Sequence, residues 1–166
     1  MSDDAVIEAR VAQALESLGA KWELMRIDPD FADTAAFCEK YGVALDHSGN
    51  TIIVASKKEP KKYCACLVLA TTRLDVNHAV RKLMEVSRVS FATAEETAAL
   101  TGMMIGGVTL LALPPGLPIY VDERIMELDY LILGGGSRSS KIKIAPDALR
   151  GLPGLSVVPG LAQAIG

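Results

Sequence analysis

Apolar residues recur at every third or fourth position in several segments of the chain, which is the spacing of an amphipathic helix. The clearest segment covers residues 3–18 and is followed by Gly19, a typical helix stop. Capping residues and glycines mark the boundaries of the other segments. The predicted helices are residues 3–18, about 34–41, a segment that begins after Asp75, and a segment between the capping box Thr93–Glu96 and Gly102.

Alternating or continuous apolar runs predict strands in the rest of the chain. The polar linker of residues 57–62 contains Pro60 and is typical of a hairpin loop. Short helices are predicted for Asp122–Leu128 and from Pro146, and the Gly- and Pro-rich tail from Gly151 is expected to pack loosely. The predicted strands are Trp22–Ile27, Thr51–Ser56, Tyr63–Thr71, Arg88–Ala92, Val108–Leu113, Leu117–Val121, Tyr130–Leu133 and Lys141–Ile144.

The order of these elements indicates the fold class. Strands outnumber helices, many neighbouring strands are linked as hairpins, and the regular alternation of a doubly wound fold is absent. We therefore expect one α+β domain over residues 1–166, with a mixed, curled, barrel-like sheet and helices outside it.

Two glycine segments interrupt this pattern: Gly102, Gly106 and Gly107 in one, and Gly134–Gly136 in the other. Glycine weakens a strand, so such positions call for a bulge, a turn or close approach of a ligand to the backbone. Gly102 is explained by ending a helix. For the others, a cleft floored by main-chain amides and a purely structural turn or bulge both remain open.

Composition and charge narrow the function classes. Half of the 166 residues are apolar, 22% are charged and the mean hydropathy is +0.29, which is typical of a globular domain. No apolar run is long enough for a membrane span, and the acidic N-terminus is unlike a signal peptide, so we expect a cytoplasmic protein.

The net charge of −3 argues against binding to DNA or to a long nucleic acid through the overall electrostatic field of the protein. A local cluster could meet the phosphates of an RNA end or be a solvated hairpin tip; it comprises Lys57, Lys58, Lys61 and Lys62.

Cysteine and histidine provide no metal or nucleophile signature. Cys38, Cys64 and Cys66 lack a metal-ligand spacing and are expected to be packed free thiols. His47 and His78 accompany no nucleophile elbow, so a hydrolytic triad is not predicted. We expect neither a metal nor a cofactor.

Several short motifs occur in an order that resembles the YbaK/ProX family, also called the prolyl-tRNA synthetase-associated domain. The resemblance spans about residues 5–150, nearly the whole chain. Each motif is weak, and their joint order and spacing make the match specific. The motifs are Tyr63–Thr71, Leu74–Asn77, Ala94–Thr97 leading to Thr101-Gly102, Gly106–Val108, Val121-Asp122, Gly134–Gly136 and Ile144–Leu149.

The resemblance implies a trans-editing aminoacyl-tRNA deacylase, which hydrolyses the ester of a mischarged tRNA, notably alanyl- or cysteinyl-tRNA for proline. It implies that backbone amides position the ester carbonyl while water, or the substrate's own side chain, attacks. The implied partners are the tRNA acceptor end and an aminoacyl-tRNA synthetase. The implied site comprises Asn50, Gly106 and Gly107 for catalysis, Thr51, Gly102, Asp122, Gly134, Gly135, Gly136 and Lys141 for substrate binding, and Lys57, Lys58, Lys61 and Lys62 for tRNA contact.

The sequence departs from the family pattern in ways that keep other functions open. Asn50 stands where family members usually carry a lysine, and Asn cannot supply a positive charge. The proline that usually follows Gly-Gly-Val is missing. Lys141 stands where a polar or acidic residue is common, and a displaced cation there could compensate for Asn50. A non-catalytic module that binds an aminoacyl-adenosine-like ligand or a protein is the alternative, and a domain with purely structural glycines is the third.

Overall fold

The computed structural model describes residues 3–165. Its α-helices are α1 (Asp3–Ser17), α2 (Thr34–Tyr41), α3 (Arg81–Met84) and α4 (Ala94–Thr101), and a π-helical segment, Val76–Val80, leads into α3. Its strands are β1 (Trp22–Arg26), β2 (Gly49–Ser56), β3 (Tyr63–Leu69), β4 (Thr72–Leu74), β5 (Val89–Phe91), β6 (Ile119–Asp122), β7 (Leu131–Gly134), β8 (Ser140–Ile144), β9 (Leu155–Val158) and β10 (Ala162–Ala164). Within this part of the chain, no helix is both long and apolar enough to cross a bilayer.

The strands form a mixed arrangement, which confirms the predicted α+β class. A five-stranded sheet has the order β5-β2-β3-β6-β9, a three-stranded sheet the order β1-β8-β7, and β10 pairs with β4. Strand β6 is parallel to both β3 and β9, and the other pairs are antiparallel. A single bridge between Ser48 and Ile132 connects the two larger sheets. The curled sheet therefore does not close into a barrel, and a gap remains beside β2.

Helix α1 shows how the apolar pattern determines packing. Its buried stripe, formed by Ile7, Val11 and Leu15, joins the main core between the sheets. Burial of such side chains contributes about 1.5–3 kcal/mol each. The predicted helices at 34–41 and after the capping box are confirmed, and Thr93 and Glu96 form the reciprocal capping bonds.

The strand predicted for Val108–Leu113 is wrong. Residues Leu110–Ala112 form a 3₁₀ turn, and the Thr109 hydroxyl accepts a hydrogen bond from the Leu111 amide. The segment is buried on all sides, so it lacks the alternation that distinguishes a strand from another buried apolar run.

The loosely packed tail predicted from Gly151 is also wrong. Strand β9 pairs with β6 and β10 pairs with β4, and Leu161 and Ala162 are buried in a second core. Glycine and proline here form the turns between short strands rather than a flexible end.

Candidate functional site

A cavity of about 370 Å³ lies in the gap beside β2. This volume is within the range of sites for small ligands. Its walls come from β2, the start of α2, the end of β5, α4, the loop of residues 105–108, the end of β7 and the start of β8. The lining residues are Asp33, Thr34, Gly49, Asn50, Thr51, Ile52, Ile53, Phe91, Ala92, Thr97, Ile105, Gly106, Val108, Gly134 and Lys141.

The edge of β2 supplies main-chain groups to this cavity. Strand β5 pairs with β2 only at Val54–Ser56, and the last contact is the Ala92 amide donating to the Ile53 carbonyl. Peptide groups alternate in direction along an antiparallel strand, so the N–H and C=O of Thr51 point to the same edge as those of Ile53. They lie beyond the end of β5 and before the bridge at Ser48, and thus face the cavity.

The side chain of Thr51 also lacks a partner. Its Oγ1 is buried and forms no hydrogen bond with any described residue. A buried polar atom without a partner is costly to stability, about 1–3 kcal/mol, and calls for an explanation. A polar group of a bound molecule would provide that partner.

Asn50 is held against the start of α2. Thr34 Oγ1 donates to Asn50 Oδ1, so the Asn50 amide nitrogen keeps two N–H donors that no described residue accepts. Because Asn50 lines the cavity, these donors are available to a carbonyl or hydroxyl oxygen of a ligand.

Lys141 places a buried cation at the cavity wall. The residue is 6% exposed, and its Nζ donates to the carbonyl oxygens of Ala32 (2.7 Å) and Gly106 (3.3 Å). No carboxylate among residues 3–165 forms an ion pair with it. Burial lowers the pKa of Lys141 to about 8, while the charge of Asp33 acts in the opposite direction. An ammonium has three donors and two are used, so one remains for an anionic oxygen.

Three of the predicted site glycines do not offer their amides to a ligand. The Gly107 amide donates to Met104, the Gly135 amide to Ser140 and the Gly136 amide to Gly107, all to carbonyl oxygens. The prediction of free amides is therefore wrong for these three residues. Gly135 and Gly136 also lie outside the cavity lining.

Close packing of two backbone segments explains these glycines. A Cβ at Gly107 would lie 2.6 Å from the Ser137 carbonyl carbon, and one at Gly134 would lie 2.3 Å from the Val108 oxygen. A Cβ at Gly136 would meet Ile7 of α1 at 2.5 Å. The glycines thus let the 105–108 loop rest on the segment after β7, which forms one wall of the cavity.

Arg138 fixes the outer part of that wall. Its guanidinium donates to the carbonyl oxygens of Ile105 (2.6 Å) and Pro29 (2.9 Å) and to Asp33 (3.2 Å). Gly106 has φ +95, which favours glycine, and a Cβ there would lie 2.3 Å from the Arg138 side chain. Gly106 therefore contributes to the cavity wall a carbonyl oxygen and a turn that a residue with a side chain would not fit.

Two further predicted substrate-binding residues, besides Gly135 and Gly136, lie outside the cavity. Gly102 is the left-handed cap of α4 and is exposed. Asp122 is 1% exposed at the end of β6, where its Oδ1 accepts from the Arg124 amide and its Oδ2 has no described partner. Burial raises the pKa of Asp122. The structure does not bring either residue to the cavity.

Residues 57–62, which include the four lysines of the cluster, connect β2 to β3, so the predicted hairpin loop is confirmed. All four lysines are exposed and none lines the cavity. Lys61 forms an ion pair with Glu96 at 3.0 Å, and this contact raises the pKa of Lys61.

Titratable groups of the kind used in acid–base catalysis are sparse here. Among the lining residues, Asp33 is the carboxylate and no histidine is present. His47 instead stacks on Tyr130 and contacts Asp46, whose hydrogen bond raises the pKa of His47. No group of three His, Cys, Asp or Glu side chains that could hold a metal occurs within residues 3–165.

Sequence reasoning missed part of the wall, including Asp33, Thr34, Phe91 and Ile105. These residues come from segments far apart in sequence, and none belongs to a recognisable motif. The one signal in the sequence was an apolar residue, Ile105, directly before the glycine pair at 106–107.

Comparison with known proteins identifies the class to which this fold and cavity belong. A family model for the aminoacyl-tRNA editing domain matches residues 28–152, which include every lining residue. The chain therefore belongs to this family, and the predicted resemblance to YbaK/ProX proteins is confirmed.

Solved structures show the same fold over nearly the whole chain. The hypothetical protein APE2540 has a TM-score of 0.82 and 25% identity, covering 93% of this chain and 99% of its own. A protein described as a proposed trans-editing enzyme for prolyl-tRNA synthetase has a TM-score of 0.79 and 24% identity, covering 96% of this chain and 98% of its own.

Proposed function

We propose that this domain hydrolyses the ester of a mischarged aminoacyl-tRNA and that the cavity beside β2 holds the aminoacyl group. The observation that carries the proposal is the convergence of Thr51, Asn50 and Lys141 on one small, mostly apolar cavity. Family membership supports the substrate class. The structural neighbour described as a proposed trans-editing enzyme for prolyl-tRNA synthetase supports prolyl-type editing.

The polar groups match the parts of an aminoacyl ester. Asp33 at the mouth suits the α-ammonium group, and the Thr51 peptide suits the ester or the terminal ribose. The Asn50 amide and the free donor of Lys141 suit the carbonyl oxygen, where negative charge develops. Fixed donors at that position, in a site with little water, are the largest single contribution in many acyl-transfer enzymes.

The reaction needs water as its second substrate and no covalent enzyme intermediate. The oxygen of water attacks the ester carbonyl carbon, and the carbonyl oxygen becomes an oxyanion that accepts hydrogen bonds from Lys141 and Asn50. When the tetrahedral intermediate collapses, the bond to the ribose oxygen breaks and that oxygen takes up the proton released by water. The products are the free amino acid and tRNA with a free terminal hydroxyl.

The apolar walls suit selection of the side chain by size. Ile52, Ile53 and Val108 line the cavity, and a hydrophobic wall discriminates an added methylene by only about 10–200-fold. The direct assay is the loss of amino acid from a panel of mischarged tRNAs. We expect turnover above the buffer rate with a small amino acid on a prolyl-type tRNA, and no turnover with any member would contradict the proposal.

A non-catalytic binding module is the second candidate, because Asn50 replaces the lysine that family members usually carry. Moving the positive charge from position 141 to position 50 distinguishes the hydrolase from the binding module. If Lys141 supplies the charge, Lys141→Met should hydrolyse the ester at least about 100-fold more slowly. The double variant Asn50→Lys/Lys141→Met should then be at least about tenfold faster than Lys141→Met, which is about 1.4 kcal/mol. A wild-type protein that binds an aminoacyl-adenosine analogue but hydrolyses nothing, with no gain in Asn50→Lys, would favour the binding module.

The reaction should also depend on pH through Lys141. Because burial lowers its pKa to about 8, the ammonium loses its proton above that pH, and kcat should fall there once the base-catalysed background is subtracted. The effect of the same deprotonation on the free energy of unfolding is opposite to its effect on kcat. Between pH 8 and the ordinary value of 10.5, the unfolded chain binds a proton that the folded chain does not, so stability should rise with pH. A rate that keeps rising through pH 9 after subtraction would contradict the charged role.

A further inference from the structure

The proposed function leaves open how the RNA approaches the cavity, and two neighbouring hollows bear on this. The first is lined by Arg73, Asp75, His78 and Gln163 among others, and it shares Phe91 with the cavity. The next is lined by Lys57, Arg81 and Arg88 and shares Asn77 with the first. Each hollow therefore adjoins the next through a shared lining residue, and we call the cavity and the two hollows, taken in this order, the track.

Phe91 stands where the cavity meets the first hollow of this track. It is the last residue of β5 and is 56% exposed, although a phenyl ring is normally buried. No ring contact involving Phe91 occurs among residues 3–165. Proteins that bind single-stranded nucleic acids stack bases on exposed aromatic rings of this kind, and such stacking is tolerant of base identity.

The two hollows beyond the cavity carry positively charged side chains. We call Lys57, Arg73, Arg81 and Arg88 the basic surface. None of them forms an ion pair among the described residues, and Arg81 Nε donates to the Asn77 carbonyl. The carboxylate in the first hollow, Asp75, is engaged by the amide and ring of His78. This surface is therefore locally basic on a chain of net charge −3.

We propose that the single-stranded 3′ end of the tRNA leaves the cavity over Phe91, with its terminal base stacked on the ring and the preceding phosphates on the basic surface. The inference rests on the proposed function, which places the aminoacyl group in the cavity. It assigns the phosphate contacts chiefly to Arg73 and Arg88 rather than to Lys58, Lys61 and Lys62 at the hairpin tip, which line none of the three hollows.

Binding of an uncharged, end-labelled acceptor-stem RNA with a single-stranded CCA end tests this path. Arg73→Gln/Arg88→Gln should lower the affinity at least about tenfold and reduce the salt slope by about 1.4, for two phosphates lost at 0.7 each. Lys58→Gln/Lys62→Gln removes the same charge from the hairpin tip and should change the affinity less. All four side chains are exposed, so folding should be unaffected.

A double-mutant cycle that combines a Phe91 substitution in the protein with removal of the terminal adenosine from the RNA tests the stacking contact. Phe91→Leu, which keeps an apolar side chain, should weaken binding about tenfold, and Phe91→Trp should not. Removing the terminal adenosine should weaken binding to the wild type but add little in Phe91→Leu. Additive losses would overturn the stacking contact, and a larger loss in the hairpin variant than in the arginine variant would overturn the path.

Wild-type hydrolysis of a mischarged tRNA, measured in parallel, separates the two proposals. Hydrolysis together with unchanged affinity in the arginine and Phe91→Leu variants would overturn the path and leave the proposed function standing. Loss of affinity in those variants without any hydrolysis would support the path and contradict the proposed activity.

Discussion

Replacing Lys141 with methionine should lower the rate of ester hydrolysis at least about 100-fold while leaving the domain as stable as before. Removal of one donor to a developing oxyanion reduces kcat by about 10²–10³ in other acyl-transfer enzymes. Lys141 is the buried ammonium at the cavity wall, and its third donor is free for such an oxyanion. Single-turnover hydrolysis of a mischarged tRNA measures the effect.

The stability result separates a chemical role from a structural one. Keeping Lys141 charged at pH 7 costs the folded state about 3 kcal/mol, because its pKa falls from 10.5 to about 8 and each unit is worth 1.36 kcal/mol. Methionine removes this cost but leaves two carbonyl oxygens without a donor, so the changes should largely cancel. Lys143→Met is the matched control, since Lys143 lies on the same strand, over Tyr130 and outside the cavity lining. Equal losses of rate in both variants would contradict the assignment.

Replacing Gly134 with alanine should destabilise the domain by about 2–4 kcal/mol. The new Cβ would lie 2.3 Å from the Val108 carbonyl oxygen and 3.3 Å from that of Gly107. Both neighbours are backbone atoms, so the 105–108 loop has to move away from β7. Urea unfolding measures the loss, and the displaced loop should also slow hydrolysis.

Gly151→Ala is the control for this substitution. Its Cβ would approach only the end of the Leu18 side chain, at 2.9 Å, and that side chain can rotate. We expect a change within about 1 kcal/mol. A Gly134→Ala protein as stable as Gly151→Ala would show that the two backbone segments are not in close contact.

The sequence predicted local structure well where the pattern is local. The stripe of α1, the capping box at Thr93 and Glu96 and the hairpin at residues 57–62 all depend on neighbours within a few positions. The segment Val108–Leu113 has no such signal, because a fully buried 3₁₀ turn and a buried strand carry the same apolar run. Pairing of β9 with β6 depends on contacts with a distant part of the chain.

The cavity beside β2 was also predictable only in part, because contacts between distant segments of the chain form it. Asn50 and Lys141 stood out against the family pattern, and the structure brings both to one cavity. The glycine segments were predicted to admit a ligand to the backbone or to form a turn or bulge, and at Gly107 and Gly134 the approaching group is the protein's own backbone. The main-chain group that faces the cavity belongs to Thr51, because β5 ends early, and no residue pattern reveals where a neighbouring strand stops.

A titration followed by NMR tests the central claim, that the open edge of β2 binds the aminoacyl ester. The ligand is an aminoacyl-adenosine analogue in which an amide replaces the ester, so the protein cannot hydrolyse it. We predict saturable shifts of the Thr51 backbone amide and the Asn50 side-chain amide, with smaller shifts at the Lys58 and Lys62 amides. Saturable binding that leaves the Thr51 and Asn50 resonances unchanged would contradict the account.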